Sequence, residues 1–323
     1  MCTAINTHGA SHLFGRTLDL ECSYGELAVI LPRNLPLAFL HEGRVKNHTA
    51  IMGIGAVIDG VPLFYDAVNE WGLAAAGLNF PKNAVYLARR EKICNVASFE
   101  FIAFVLSRCK NIGEAKKLLE NTNITPDTFR EELPTTPLHW IIADKSGSII
   151  AEPCDTGVKV YENPIEVLSN SPEFPHHLTN LSRYMQVGAA PPENRLCPSV
   201  NLSVYSRGMG GIGLPGDYSS ESRFVRAAFA KTHTCANEGE SEVSRFFHVL
   251  NTVSVPCGCV IAENGKRFMT RYTSCADLEN GEYYFTTYQN RRIRKFGFKR
   301  EALERDTLIT FPLYDAEDIN ALN

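Results

Sequence analysis

The chain has 323 residues, 44% hydrophobic and 21% charged, with a formal net charge of −4 and a pI of about 6.2. This is the composition of a globular protein with a substantial core. No Lys/Arg block points to nucleic acid or an anionic membrane surface, and no apolar stretch is long enough to span a bilayer.

The chain opens Met1-Cys2-Thr3. Removal of Met1, common before a small residue, would leave Cys2 with a thiol and an α-amine a few bonds apart. Such an amine titrates at roughly 7.7–8.0 when unperturbed, so it can accept a proton near neutrality. The thiolate is the reactive form of cysteine, and an adjacent base or cation favours it. An ordinary residue at a frayed end is the simpler reading of these two positions alone. The start lacks a basic stretch followed by an apolar run, which predicts a cytoplasmic protein. The ten cysteines, at 2, 22, 94, 109, 154, 197, 235, 257, 259 and 275, are then expected to be mostly reduced and buried. Cys257-Gly258-Cys259 lacks the second Cys pair or His pair of a zinc site, and adjacent His176-His177 rarely share a metal, so no metal is expected.

Ser11–Phe14 reads as a strand and runs into Gly15-Arg16-Thr17-Leu18-Asp19. Arg16 near Cys2 would stabilise a thiolate, and Asp19 would hold the amine. Residues three apart in a strand face opposite sides, so a turn or bulge is needed to converge them. A surface Arg–Asp pair is the alternative. Leu27–Leu31, Thr49–Ile58, Leu63–Val68 and Leu73–Asn79 are predicted strands, with turns at Asp59-Gly60 and Asn69–Gly72. Asn79, at a strand end before Phe80-Pro81, offers an N–H to an oxyanion or simply forms a turn.

Ala97–Lys110 is a predicted helix whose apolar residues spread wide enough to be covered on more than one side. Ile112–Asn121 is an amphipathic helix with Asn111 as N-cap and Glu114 placed as in a capping box. Strands return at Leu138–Ala143 and Ile149–Glu152, and a third apolar run ends at Val167-Leu168-Ser169. Asn170, before Ser171-Pro172, carries the same two readings as Asn79. Residues 187–216 are rich in Pro and Gly, an excursion unusual in a compact domain unless it binds something. Helices at 220–231 and 241–252 precede strands over 255–297. Arg223 begins the first of these helices; buried, it would face an anion, and otherwise it sits on the surface. This order fits one domain with a sheet sandwich and helices outside it; two domains divided near 185 are the alternative. No P-loop or GxGxxG is present.

Taken together, Met1-Cys2-Thr3, FGRTLD at 14–19, NEWGLAAAGLNFP at 69–81, LHW at 138–140, LSNSPEF at 168–174, GLPGDYSSESRF at 213–224 and YTSCADLENGEYYFTTY at 272–288 resemble the choloylglycine hydrolase family. That family contains bile salt hydrolases and penicillin V acylases and belongs to the N-terminal nucleophile (Ntn) hydrolases. The resemblance runs from Cys2 to about Tyr288, essentially the whole chain and in order, and implies a single domain over 1–323. It implies an α+β fold, an αββα four-layer sandwich of two antiparallel sheets flanked by helices.

The resemblance also implies an amidase that needs no cofactor or metal. Cys2 would be the nucleophile and its α-amine the base. Asp19 would orient the amine, Arg16 support the thiolate, Asn79 and Asn170 supply the oxyanion hole, and Arg223 steady the charged centre. Bile salt hydrolases resemble this chain in having asparagine at the place of Asn79, where penicillin V acylases usually have tyrosine. The implied substrates are therefore glycine- or taurine-conjugated bile salts, cleaved at the amide. Leu18, Ile58, Tyr65 and Leu133 occupy places where the family lines an apolar, steroid-sized pocket. The 187–216 segment resembles the family's tetramer-assembly loop, implying a homotetramer. Its Arg207, reaching in from a neighbouring subunit, would pair with the anionic end of the conjugated amino acid. Two rivals stay open: an acylase for penicillin V or N-acyl-homoserine lactones in the same fold, and a catalytically silent binder of amphipaths, against which the complete set of six residues argues.

Overall fold

The computed structural model describes residues 1–299 and 303–323. Along the chain, β1 (Cys2–His8) and β2 (His12–Leu20) form a hairpin, followed by β3 (Leu27–Leu31) and the short pair β4 (Leu37–Phe39) and β5 (Gly43–Val45). A meander of β6 (Ile51–Ile58), β7 (Val61–Asn69) and β8 (Ala74–Asn79) comes next. β9 (Cys94–Ala97) leads into α1 (Phe101–Arg108) and α2 (Ile112–Leu119), and β10 (Thr122–Thr125) pairs back on β9 in parallel. β11 (Leu138–Asp144), β12 (Gly147–Cys154), β13 (Gly157–Glu162) and β14 (Val167–Leu168) precede α3 (Phe174–Leu181). The remainder holds α4 (Ser220–His233), α5 (Glu242–Asn251), β15 (Met269–Asp277), β16 (Glu282–Thr287), β17 (Arg294–Gly297) and β18 (Ile309–Pro312).

Two large antiparallel sheets result. Sheet one runs β14-β1-β2-β15-β16-β17 and sheet two β13-β12-β11-β8-β7-β6-β3-β18. They stack face to face, with α3, α4 and α5 outside sheet one and α1 and α2 outside sheet two, giving the αββα sandwich. Among the described residues no helix is long and apolar enough to cross a membrane.

Side-chain alternation explains why β3 is apolar throughout. Successive residues point to opposite faces, and both faces of sheet two are covered. Ala28 and Ile30 join the cluster between the sheets, while Val29 and Leu31 join the cluster under α1. In the same way Ile141 faces sheet one, and its neighbours Trp140 and Ile142 face α1. Trp140 stacks on Phe101 with ring centroids 4.0 Å apart. Phe101–Ser107 of α1 are all buried, because Phe39 and Arg108 close the side away from the sheet. Asn111 caps α2, accepting the Glu114 N–H at 3.0 Å; Glu114 reaches back to the N–H of Lys110 rather than that of Asn111.

Three expectations need correcting. β2 runs unbroken from His12 to Leu20, and the irregularity opposite Asp19 lies on β15, between Thr270 and Tyr272. The final strands begin at Met269; residues 255–268 form turns instead, with the Val255 N–H donating to Thr270 Oγ1. All ten cysteines are free thiols, but only Cys2, Cys109 and Cys275 are buried, because most of the others fall in loops or at strand ends.

Gly15 lets β2 and β15 approach closely: a Cβ there would lie 2.0 Å from the Ser274 carbonyl oxygen. Gly15→Ala is expected to destabilise the protein by about 2–3 kcal/mol, since backbone must part to admit the methyl. Urea unfolding of the two proteins checks this.

Candidate active site

The hairpin sorts the site's side chains between two faces. Cys2 pairs with Leu18, Thr3 with Thr17 and Ala4 with Arg16. Cys2, Arg16 and Leu18 therefore point between the sheets, while Thr3, Thr17 and Asp19 point toward α4. The three-residue spacing of Arg16 and Asp19 needs no turn, because the two act on opposite faces of one strand.

On the inner face Arg16 is fully buried. Its Nε donates to Thr17 O, and its Nη1 donates to Tyr65 O and, at 2.6 Å, to Gly77 O across the sandwich. Its Nη2 is buried without a partner. Burial alone would lower the Arg16 pKa, but Cys2, Tyr272, Asp66 and Asp19 hold it above its ordinary value.

On the outer face Arg223, also fully buried, donates from Nη1 to Cys2 O and Thr3 Oγ1 and from Nη2 to Asn170 Oδ1 at 2.6 Å. It sits in the first turn of α4, whose N-cap Ser219 accepts the Ser222 N–H. Burial lowers its pKa, opposed by Asp19 and Cys2. Asp19 Oδ2 lies 4.0 Å from Arg223 Nη1, and Asp19 Oδ1 accepts from Thr270 Oγ1 at 2.6 Å. Met1 extends the ladder: its amine donates to Asp19 O at 2.8 Å, and the Asp19 N–H donates to Met1 O at 3.0 Å.

Asn170 joins the two asparagine segments. Its Oδ1 accepts the Cys2 N–H at 2.9 Å, and its Nδ2 donates to Asn79 O at 2.7 Å. Asn79 lines the cavity beside Cys2 with its Oδ1 buried and unpartnered. The loop bearing Asn170 is fixed by two histidines with no exposed surface, whose part the sequence reading missed. His139 Nε2 donates to Ser169 O and His177 Nε2 donates to Asn170 O, at 3.0 and 2.8 Å. His139 stacks on Phe80, and His177 on Phe224. The only sequence signal was their place inside or beside the LHW and LSNSPEF stretches.

A cavity of about 330 Å³ opens over these groups, lined by Cys2, Arg16, Leu18 and Asn79 together with Ile58, Tyr65 and Leu133. Phe64, Phe99, Phe129 and Pro134 add to its apolar wall; nothing in the local sequence marked them. Arg207 is exposed and lies outside this lining.

A strand-borne cysteine at the chain's start, set at the mouth of two stacked antiparallel sheets between helical layers, is the arrangement of N-terminal nucleophile hydrolases. The family model of linear amide C–N hydrolases, choloylglycine hydrolase family, matches residues 2–311. The chain is 42% identical to a bile salt hydrolase/transferase of Lactiplantibacillus plantarum over the whole of both chains. It superposes on a conjugated bile acid hydrolase from Clostridium perfringens with a TM-score of 0.93, at 34% identity and full coverage of both. A penicillin V acylase from Agrobacterium tumefaciens shares the fold, with a TM-score of 0.76 at 21% identity over 96% of this chain and 90% of that one. The chain belongs to the choloylglycine hydrolase family and is a linear amide C–N hydrolase.

Burial lowers the His177 pKa to about 4, only partly offset by its bond to Asn170 O. Below about 6.5 the unfolded imidazole takes up a proton that the folded one refuses, so this contribution is complete above that pH and is lost as pH falls toward 4. Wild type is expected to lose about 3 kcal/mol more between pH 6.5 and 4 than His177→Gln. Denaturant unfolding across that range measures the difference.

Proposed function

We propose that the enzyme hydrolyses the amide of glycine- or taurine-conjugated bile salts, with Cys2 as nucleophile once Met1 is removed. The observation that carries this is one apolar-walled cavity whose lining holds Cys2, Arg16 with its Nη2 unpartnered, and Asn79 with its Oδ1 unpartnered. An amphipath with a rigid apolar body fits such a wall, and its amide then meets the polar end. The names of full-length relatives, bile salt hydrolase/transferase, point the same way.

Removing Met1 turns the Cys2 nitrogen into a free amine already within reach of Asn170 Oδ1, and it releases the Asp19 backbone N–H and carbonyl. That amine takes the thiol proton, the sulfur attacks the amide carbonyl, and an oxyanion develops. Asn79 donates to it; preorganised donors of this kind are worth roughly 3–4 kcal/mol. Asn170 serves the oxyanion by fixing the Asn79 carbonyl and holding the nucleophile, and as a direct donor only if its Nδ2 turns from that carbonyl. Asp19, buttressed by Thr270, orients the amine, and Arg223 holds the strand start. The amine product departs with a proton, and water cleaves the thioester.

We further read the chain as one catalytic domain whose 187–216 segment assembles a homotetramer in the cytoplasm. Leu196, Val200, Leu202, Val204, Tyr205 and Ile212 are all exposed there, apolar surface that assembly would cover. Arg207 would then reach a neighbouring cavity and meet the sulfonate or carboxylate of the conjugate.

Release of glycine and taurine from glycocholate and taurocholate, read with ninhydrin, tests the reaction. Cys2→Ser is expected to lose at least about 10³-fold in rate while still binding the bile salt. Turnover of penicillin V instead of either conjugate would favour the acylase. Arg207→Ala is expected to lower the taurine-to-glycine activity ratio several-fold; an unchanged ratio removes Arg207 from specificity.

A further inference from the structure

Asp66, on β7, is a carboxylate 1% exposed between the sheets, and no step above uses it. Its Oδ1 accepts from Tyr272 OH at 2.5 Å, and its Oδ2 accepts from Ser274 Oγ at 2.8 Å and from Tyr283 OH. Its strand neighbours Ile54 on β6 and Ala76 on β8 are apolar. The titratable groups packed around it are therefore Tyr272 and Tyr283 from sheet one's β15 and β16, Arg16 from β2 and, through Arg16, Cys2 from β1. Ser274 carries the link further, since its Oγ also accepts the Arg16 backbone N–H at 3.2 Å.

The two buried charges of the inner face do not occupy one another. Arg16 spends its bonds on three backbone carbonyls, and Asp66 spends its own on three hydroxyls. A direct Arg–carboxylate fork would have engaged Nη2, which is unpartnered. Here the carboxylate balances the charge through space and leaves Nη2 open.

We propose that Asp66 is a positioning residue for the nucleophile: its tethered carboxylate is the counter-charge that tempers the Arg16 cation between the sheets while leaving Nη2 unpartnered, and it thereby sets the pH range over which Cys2 reacts. Burial raises the Asp66 carboxyl above its ordinary value, and Arg16 and the three hydroxyls offset only part of that rise. The outer face is balanced separately, by Asp19 and Arg223. Removing the Asp66 charge thus leaves Arg16 uncompensated beside the thiol, which favours an anion at sulfur.

The proposal rests on the amidase reading for the role of Arg16, but alkylation reads the thiol without any substrate turning over, so the two can fail separately. Met1-free wild type and Asp66→Asn are treated with iodoacetamide across a pH series, and modification of the Cys2 peptide is followed by mass spectrometry. The exposed thiols of Cys257 and Cys259 serve as internal standards. The Cys2 midpoint is expected to move to lower pH by about one unit, near a tenfold faster reaction on the acid side, with the standards unmoved. Tyr283→Phe, which keeps the ring and removes one hydroxyl donor, covers the case in which Asp66→Asn does not fold. It is expected to shift the midpoint the same way by a few tenths of a unit, roughly the effect of one lost hydrogen bond to a carboxylate. A folded variant with an unmoved midpoint, or one moved to higher pH, overturns the proposal.

Discussion

One buried guanidinium, that of Arg223, ties together the pieces from which the site is made. It holds the carbonyl of Cys2, the hydroxyl of Thr3 and the side-chain oxygen of Asn170, and it lies 4.0 Å from the Asp19 carboxylate. Those groups come from β1, β2 and the 168–172 loop, and the arginine comes from α4. An isolated charge at zero exposure would cost several kcal/mol, so the group persists there only because each donor meets an acceptor and a carboxylate stands near. The geometry of the nucleophile is thus the by-product of satisfying one buried cation.

A second cation makes the arrangement symmetric about sheet one. Arg16 with Asp66 lies on the inner face, and Arg223 with Asp19 lies on the outer. Each pair is nearly neutral, and neither is a tight ion pair. The thiol shares the inner face with the apolar cavity, whereas the backbone nitrogen that becomes the amine sits at the strand's edge beside Asn170. Separation of Arg16, which faces the thiol, from Asp19, which faces the amine, follows from the two-residue period of β structure, with no distortion of β2.

The oxyanion side is built by indirect means. His139 and His177 hold successive carbonyls of the 168–172 loop, and Asn170 in turn holds the Asn79 carbonyl. Aromatic stacking on Phe80 and Phe224 fixes both rings. The chain therefore spends two fully buried imidazoles on placing one loop, which positions the polar end of the cavity more firmly than a free loop would.

Much of this was legible in the sequence because the relevant signals are local. The apolar runs at Leu27–Leu31 and Leu73–Asn79, the helix covered on several sides within Ala97–Lys110 and the Asn111 cap follow from period, burial and capping, which a short window contains. The order of the Cys2, Arg16, Asp19, Asn79, Asn170 and Arg223 motifs was enough to mark the family. Short or edge strands such as β9, β10 and β18 were not legible, since their pairing depends on partners far along the chain. Nor was it legible that Arg16 and Asp19 serve opposite faces, that Asp66 stands among three hydroxyls, or that Phe99 and Phe129 wall one cavity with Cys2. The sequence by itself determined which groups are present and which segments are strand or helix, because propensity and periodicity act over neighbouring residues. Which groups meet was decided by packing on both faces of sheet one: stacking against sheet two sets Asp66 near Arg16, and docking of α4 outside carries Arg223 to Cys2 and Asn170.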